Sequence, residues 1–232
     1  MKITLVLLTL NEAIGIKKLV GRIPYNAVDE VIAIDGGSID GTLEIMSENK
    51  IKVYGQAVRG RGEAFREAFR RAQGDALIFF SPDGNENPED IPRFREYLES
   101  GSDLVIATRM VKGARNEEDD QVIKLRKWVN NAFTLAANII WNKKKYVTDT
   151  INGFRAITKK TWNILALDGP GYTIEYQSSI RAFKRGLKIS EFPTIEMNRF
   201  DDREGSPALP TGMAFIKIFL HELKIGGNWK PL

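Results

Sequence analysis

Short apolar runs that each end in a polar turn constrain this chain more than any other feature. Ile3-Thr4-Leu5-Val6-Leu7-Leu8 leads through Thr9-Leu10-Asn11-Glu12 into a helical pattern reaching Leu19-Val20. Val31-Ile32-Ala33-Ile34 runs into Asp35-Gly36-Gly37-Ser38-Ile39-Asp40-Gly41-Thr42 and then Leu43-Glu44-Ile45-Met46. Ile51-Lys52-Val53-Tyr54 passes through Arg59-Gly60-Arg61-Gly62 to Ala64, Phe65, Ala68, Phe69 and Ala72 at helical spacing, before Gly74. Ala76-Leu77-Ile78-Phe79-Phe80 and Leu104-Val105-Ile106-Ala107 follow. Runs this short suit buried strands, and their alternation with helices predicts an α/β fold with a mostly parallel central sheet flanked by helices.

In such sheets ligands bind outside the carboxyl ends of the strands. Glu12, Asp35, Asp83 and Arg109 all fall at such ends, so they are expected on one rim. Ser81-Pro82-Asp83-Gly84-Asn85 is the most pointed cluster. A buried strand there delivers a carboxylate and an amide onto a tight turn, hard oxygen donors suited to a cation shared with a phosphate. The alternative is that Ser-Pro-Asp-Gly is only a turn.

Composition excludes several classes. With no cysteine and a single histidine, His221, neither disulfides nor a thiolate or histidine zinc site can form. The formal net charge of +4 is modest, and no basic arm or zinc-finger spacing points to nucleic acid. The basic residues near candidate loops, Arg59, Arg61, Arg109, Arg155, Arg199 and Arg203, lie beside acidic ones, which suits phosphate-bearing small molecules. No apolar run approaches a membrane span and no leader pattern is visible, so the reading is a cytoplasmic protein, soluble or peripheral at a membrane face.

Taken in order, Thr9-Leu10-Asn11-Glu12, Asp35 to Thr42, the helix ending at Gly74-Asp75, Ser81 to Asn85 and Asn152-Gly153-Phe154-Arg155 resemble the family 2 glycosyltransferases of the GT-A, Rossmann-like fold. The nearest branch is the one typified by dolichyl-phosphate mannose synthase. The resemblance covers about residues 1–206. It implies a hexosyltransferase domain, with a nucleotide-sugar-binding half over 1–109, an acceptor half and lid over 110–206, and a C-terminal helical tail over 207–232.

The resemblance also implies roles. Leu8, Leu10, Glu12 and Asp35 hold the base and ribose, while Ser81, Pro82, Asp83 and Arg109 meet the donor phosphates and sugar. Asp40 is read as a helix cap. Asp83 and Asn85 are the candidate metal ligands for Mg2+ or Mn2+, although Ser81 stands where relatives carry the first carboxylate of Asp-x-Asp. Asp83, Arg155, Arg199 and Arg203 are the expected catalytic set, with the arginines clamping an acceptor phosphate. Relatives follow the lid arginine with Gly-x-Ser-Lys, and here Ser206 is followed by Pro207 instead.

The second half is read as the acceptor side. Val122 to Asn142 is expected as a long helix whose stripe of Leu125, Trp128, Val129, Ala132, Phe133, Ala136 and Ile140 serves mostly as core packing. If part of the stripe is exposed, tryptophans beside Lys143-Lys144-Lys145 suit an anionic membrane surface. Thr173 to Arg185 is a second helix carrying Glu175. Arg199 to Gly212 is expected as a lid, and Ala214 to Lys224 as an amphipathic helix for core, dimer or membrane contact. The expected reaction is inverting hexose transfer from a GDP- or UDP-sugar to a polyprenyl phosphate. A hydroxyl acceptor with Asp149 or Glu175 as base, a nucleotide-sugar sensor and a sugar nucleotidyltransferase are the alternatives.

Overall fold

The computed structural model describes residues 1–120, 124–201 and 208–231. A seven-stranded sheet in the order β3-β2-β1-β4-β6-β5-β7 forms the centre. Its strands are β1 (Ile3–Thr9), β2 (Glu30–Asp35), β3 (Lys52–Gly55), β4 (Ala76–Phe80), β5 (Leu104–Thr108), β6 (Arg155–Thr158) and β7 (Ile189–Pro193). All pairings are parallel except those of β6, which runs antiparallel between β4 and β5. Because β6 runs backwards, its first residue, Arg155, pairs with Phe79 near the carboxyl end of β4. The loop entering β6 therefore lands on the same rim as the loops leaving β1, β2, β4 and β5.

β1, β4 and β5 are buried along their whole length, as strands covered on both faces must be. One face packs Phe65, Phe79, Ile106, Ile174 and Tyr176. The other packs Leu7, Ile16, Phe80, Phe94 and Phe192. Burying one such aromatic or aliphatic side chain contributes about 1.5–3 kcal/mol, so these two layers anchor the strand ends that carry the polar loops.

Helices α1 (Ala13–Leu19), α2 (Thr42–Glu48), α3 (Arg61–Arg71), α4 (Ile91–Glu99), α5 (Leu125–Trp141), α6 (Lys159–Leu165), α7 (Thr173–Lys184) and α8 (Ala208–Ile225) flank the sheet. The helix expected from Val122 starts at Leu125, and residues 121–123 lie outside the described residues. Its orientation overturns the expected core role. Thr134, Ala137 and Asn138 face inward, whereas Leu125, Trp128, Val129, Leu135, Ile139 and Ile140 are exposed. Polar inward groups survive because they are satisfied: the Asn138 amide donates to the carbonyls of Thr134 and Val147, and the Thr134 and Thr150 hydroxyls pair at 2.7 Å.

α8 begins at Ala208, six residues before the expected Ala214, so the C-terminal part of the expected lid, 208–212, is helical. Phe215 and Ile218 enter the core. Glu222, wholly buried, accepts from Gln177 and pairs with Arg181 and Lys184 of α7. That network ties α8 to α7.

Candidate active site

A cleft of about 1040 Å³ opens over the carboxyl ends of the strands. β1 and its turn contribute Leu8, Leu10 and Glu12 to its wall, β4 and its turn Ser81, Asp83, Asn85 and Glu86, and β5 Arg109. Asn152 and Gly153 come from the loop entering β6, and Glu175 comes from α7.

The Asp83 turn is held from three sides. Glu86 takes the Ser81 amide at 2.7 Å, closing the turn on itself. Asp83 Oδ1 takes the Asn85 amide at 3.0 Å. The segment after β7 lies on top, with Met197 N–H donating to the Asn85 carbonyl and Phe200 N–H to the Asp83 carbonyl. Underneath, Gly15 of α1 abuts the turn so closely that a Cβ there would sit 1.8 Å from the Pro82 carbonyl oxygen. Pro82 is thus a buried packing element rather than a residue of the cleft wall, which corrects its expected place beside the donor.

Asp83 and Asn85 offer oxygen to a cation. The Asn85 Nδ2 hydrogens are committed to the Met197 carbonyl and Glu117, which leaves the amide oxygen as the free ligand type. Arg199 stands 3.5 Å from Asp83 Oδ2. Burial pushes the Asp83 carboxyl above its ordinary value against the pull of Arg199, and burial drives Glu86 up to about 8. Two buried carboxyls side by side, each pushed toward its neutral form, would be stabilised as carboxylates by a cation. Hard oxygen donors in that state fit Mg2+ or Mn2+.

The place vacated by the first carboxylate of Asp-x-Asp is taken up by an arginine. Arg61 Nη1 donates to Ser81 Oγ at 3.1 Å, while Arg61 Nε pairs with Glu175 Oε1. Burial would lower the Arg61 pKa, but Glu175 and Glu86 raise it. Gly153 leaves room for this guanidinium, since a Cβ there would lie 2.0 Å from Arg61 Nη2. The other Glu175 oxygen, Oε2, is buried without a hydrogen-bond partner. A buried carboxylate oxygen left unpaired on a cleft wall is a poised acceptor for a ligand hydroxyl.

Several expected residues are placed otherwise. Asp35 is buried and saturated: Oδ1 accepts the Gly37 and Ser38 amides, and Oδ2 accepts the Thr9 and Ser38 hydroxyls. It builds the turn and lines a smaller pocket that shares Gln56 with the cleft, while Gly36 beside it lines the cleft itself. Arg155 is wholly buried, its guanidinium bonded to the carbonyls of Asn152, Glu175 and Thr150 and to Ser178. It fastens the β6 entry loop to α7 and cannot clamp an acceptor. Burial lowers its pKa to about 10.

Arg109 lines the cleft but spends its charge internally, with Nε and Nη2 on Asp149 and Nη1 on Glu196. Burial opposes its charged form, yet Asp149 and Glu196 hold its pKa above the ordinary value. Asp149 in turn is buried, and although burial alone would raise its pKa, Arg109 and backbone amides lower it, and its oxygens are held by Arg109 and the turn that follows. Asp40 accepts the Thr42 and Ala13 amides, bracing the starts of α2 and α1. Arg203 lies outside the described residues.

Asp168, His221 and Glu222 also come within metal-ligand reach of one another. Arg181 and Lys184 already neutralise that group, so it is a structural ion network. Glu86 and Gly15 go unassigned in the sequence, and Arg61 and Glu175 are read there separately, as a basic loop residue and an alternative base, without their pairing. A glycine inside a short amphipathic helix was the one available signal, for Gly15.

Residues 5–162 match the family Glycosyl transferase family 2. The chain belongs to that family and is a glycosyltransferase. It is 27% identical over 214 residues to glycosyltransferase AglJ of Haloferax volcanii, covering 91% of this chain and 69% of the relative. It is 28% identical over 202 residues to the dolichol-phosphate mannosyltransferase of Pyrococcus furiosus, covering 83% of this chain but only 56% of that relative's length. The polyprenol monophosphomannose synthase of Mycolicibacterium smegmatis is 27% identical, with 87% and 78% covered. Among solved structures, glucosyl-3-phosphoglycerate synthase from Mycobacterium tuberculosis, in complex with Mn2+, UDP-glucose and phosphoglyceric acid, superposes with a TM-score of 0.74. That similarity spans 96% of this chain and 79% of the other at 22% identity, and shows the shared fold.

Proposed function

We propose that this glycosyltransferase moves a hexose, with inversion, from a nucleotide sugar to a polyprenyl phosphate of the dolichyl type. The observation that carries the reading is the two-part character of the cleft. The strand-end loops and α7 give it a polar lining, with Asp83, Asn85, Arg61 and Glu175; α5 and α8 add Leu125, Val129, Phe133, Met213 and Ile216, with Arg126 and Lys127 beside them. A phosphate at the head of an apolar chain matches both parts. The names of the Pyrococcus and Mycolicibacterium relatives support it.

The chemistry asks little of the protein's bases. An acceptor phosphate has a second pKa of about 6 and is ionised at neutral pH. Its oxygen attacks the anomeric carbon as the bond to the nucleoside diphosphate breaks, and no proton moves. Asp149, locked to Arg109, is then no loss. Charge and positioning carry the rate: Arg199 and Arg61 flank the Asp83 turn, and Glu175 Oε2 accepts from a sugar hydroxyl. A divalent cation held by Asp83 and Asn85 would neutralise the departing diphosphate.

The unpaired Glu175 Oε2 also favours a second reading, in which it acts as base toward a saccharide hydroxyl. Labelled donor incubated with polyprenyl phosphate or with soluble saccharides separates the two. Transfer into the lipid phase, abolished by Asp83→Ala, supports the first. Label confined to saccharide and lost with Glu175→Gln supports the second. Binding of nucleotide sugar without turnover on either acceptor would overturn both.

A further inference from the structure

We propose that the outward faces of α5 and α8 form a single docking surface for an anionic lipid bilayer, positioned so that the cleft opens at the membrane. The surface begins with an inverted helix. α5 turns Thr134 and Asn138 to the protein and presents Trp128, Leu135, Ile139 and Ile140 to solvent, with Ile139 74% exposed. These residues recur at helical spacing, so they form one stripe along 17 residues. An apolar stripe facing outward over a polar inner face is the reverse of what folding alone selects.

α8 carries a second stripe. Phe215 and Ile218 face the core, while Met213, Ile216, Leu220 and Leu223 are exposed. The two helices are neighbours: Phe133 and Phe215 ring centroids lie 5.5 Å apart, and those of Trp141 and Phe219 lie 5.3 Å apart. The α8 stripe reaches the cleft through Met213 and Ile216, and α5 reaches it through the exposed Leu125 and Val129.

Charge decides the occupant. At the start of α5, Lys124, Arg126 and Lys127 pair with Asp119 and Glu117, so the free positive charge of this face lies at the other end of α5 and on α8. Lys143, Lys144 and Lys145 are exposed at the end of α5, and Lys217 and Lys224 are exposed on α8. A second copy of the chain would bring like charges together, whereas an anionic surface complements them. No helix among the described residues is long and apolar enough to cross a membrane, so these helices lie in the interface plane. The choice of a bilayer rests on the lipid-phosphate acceptor proposed above, because an acceptor headgroup would enter the cleft from the same face.

The test uses the intact chain and vesicles free of any prenyl phosphate, so that docking is read apart from the acceptor assignment. Flotation with phosphatidylglycerol-containing vesicles should carry the protein, and phosphatidylcholine vesicles should carry at least tenfold less. Leu135→Glu with Ile139→Glu should abolish flotation and leave transfer to a detergent-solubilised short-chain prenyl phosphate unchanged, since neither residue lines the cleft. Trp128 fluorescence should shift to the blue on vesicle addition. Absence of flotation by the wild type, or unchanged flotation by the double variant with an intact circular dichroism spectrum, would overturn the proposal. So would a wild-type dimer by sedimentation that the same double substitution dissociates, which would assign the face to a second copy. Failure of transfer to the short-chain acceptor alongside normal flotation would instead overturn the acceptor assignment.

Discussion

Replacing Gly15 with alanine tests whether α1 sets the position of the Asp83 turn. The added Cβ would lie 1.8 Å from the Pro82 carbonyl oxygen and 3.3 Å from the Asp83 Cα. To reach even a 3.0 Å separation the carbonyl must retreat by roughly 1.2 Å, and it is backbone, so Asp83 and Asn85 move with it. Alanine gains about 1 kcal/mol of helix propensity over glycine, and overpacking costs about 1–3 kcal/mol. The net loss of stability is therefore small, about 0–2 kcal/mol. Activity is more sensitive, because a misplacement of about 1 Å can cost about a hundredfold in rate. Steady-state transfer should thus fall by about two orders of magnitude while the thermal midpoint moves by only a few degrees. Stabilisation by nucleoside diphosphate with Mn2+ should weaken in parallel. Gly21→Ala is the control: nothing lies within 4 Å of its added Cβ, and activity should be unchanged. A Gly15→Ala enzyme of wild-type activity would refute the idea that this contact fixes the turn.

Asn85→Leu should remove the metal requirement for nucleoside diphosphate stabilisation in a thermal-shift assay, and an unchanged requirement would move the cation elsewhere. Without divalent cation, Glu86 keeps its proton in the folded state up to about pH 8, whereas the unfolded chain releases it near 4.5. Stability should therefore fall as pH rises between those values and level off above them, and Glu86→Gln should flatten that slope in urea midpoints. Glu222→Ala strands the buried Lys184 charge and leaves Arg181 only Asp168, and chemical denaturation should show a loss of about 3–5 kcal/mol. Arg155→Met removes a guanidinium bonded to three carbonyls, so a comparable loss of folding stability is expected, and an unaltered denaturation midpoint would contradict its structural role.

The sequence yields the parallel framework because the first five strands are near-continuous apolar runs ended by turns. β6 and β7 escape such reading. Arg155-Ala156-Ile157-Thr158 offers two apolar residues, and Ile189–Pro193 is a short edge strand in which only Phe192 is buried. The stripe on α5 was legible as a stripe, but periodicity states which residues share a face and not what that face meets. The commitment of Asp35 to its own turn is only partly legible for a related reason, since three of its four donors sit in the adjacent turn but Thr9 lies 26 residues away. The cleft does gather Glu12, Ser81, Asp83 and Arg109 on one wall, which follows from strand ends alone. Whether each side chain there is spent internally, as Arg109 is on Asp149 and Glu196, depends on partners from distant elements.

Arg61 gives the serine at position 81 a physical meaning. A carboxylate at 81 would stand within reach of Arg61 Nη1, now 3.1 Å from Ser81 Oγ, and would draw that guanidinium away from Glu175. Glu175 would then lose the partner that orients it, with its second oxygen already unpaired. Serine keeps Arg61 shared between a hydroxyl and Glu175, and leaves Asp83 as the carboxylate facing any cation. Ser81→Asp should accordingly strengthen apparent metal affinity only if the cation outcompetes Arg61 for the new carboxylate. The guanidinium is already in place beside position 81, whereas a divalent cation must shed hydration water to take the new carboxylate. Metal affinity measured by titration calorimetry should thus rise little, while kcat falls as Glu175 is released. A large gain in affinity with undiminished kcat would show that Arg61 does not govern the site.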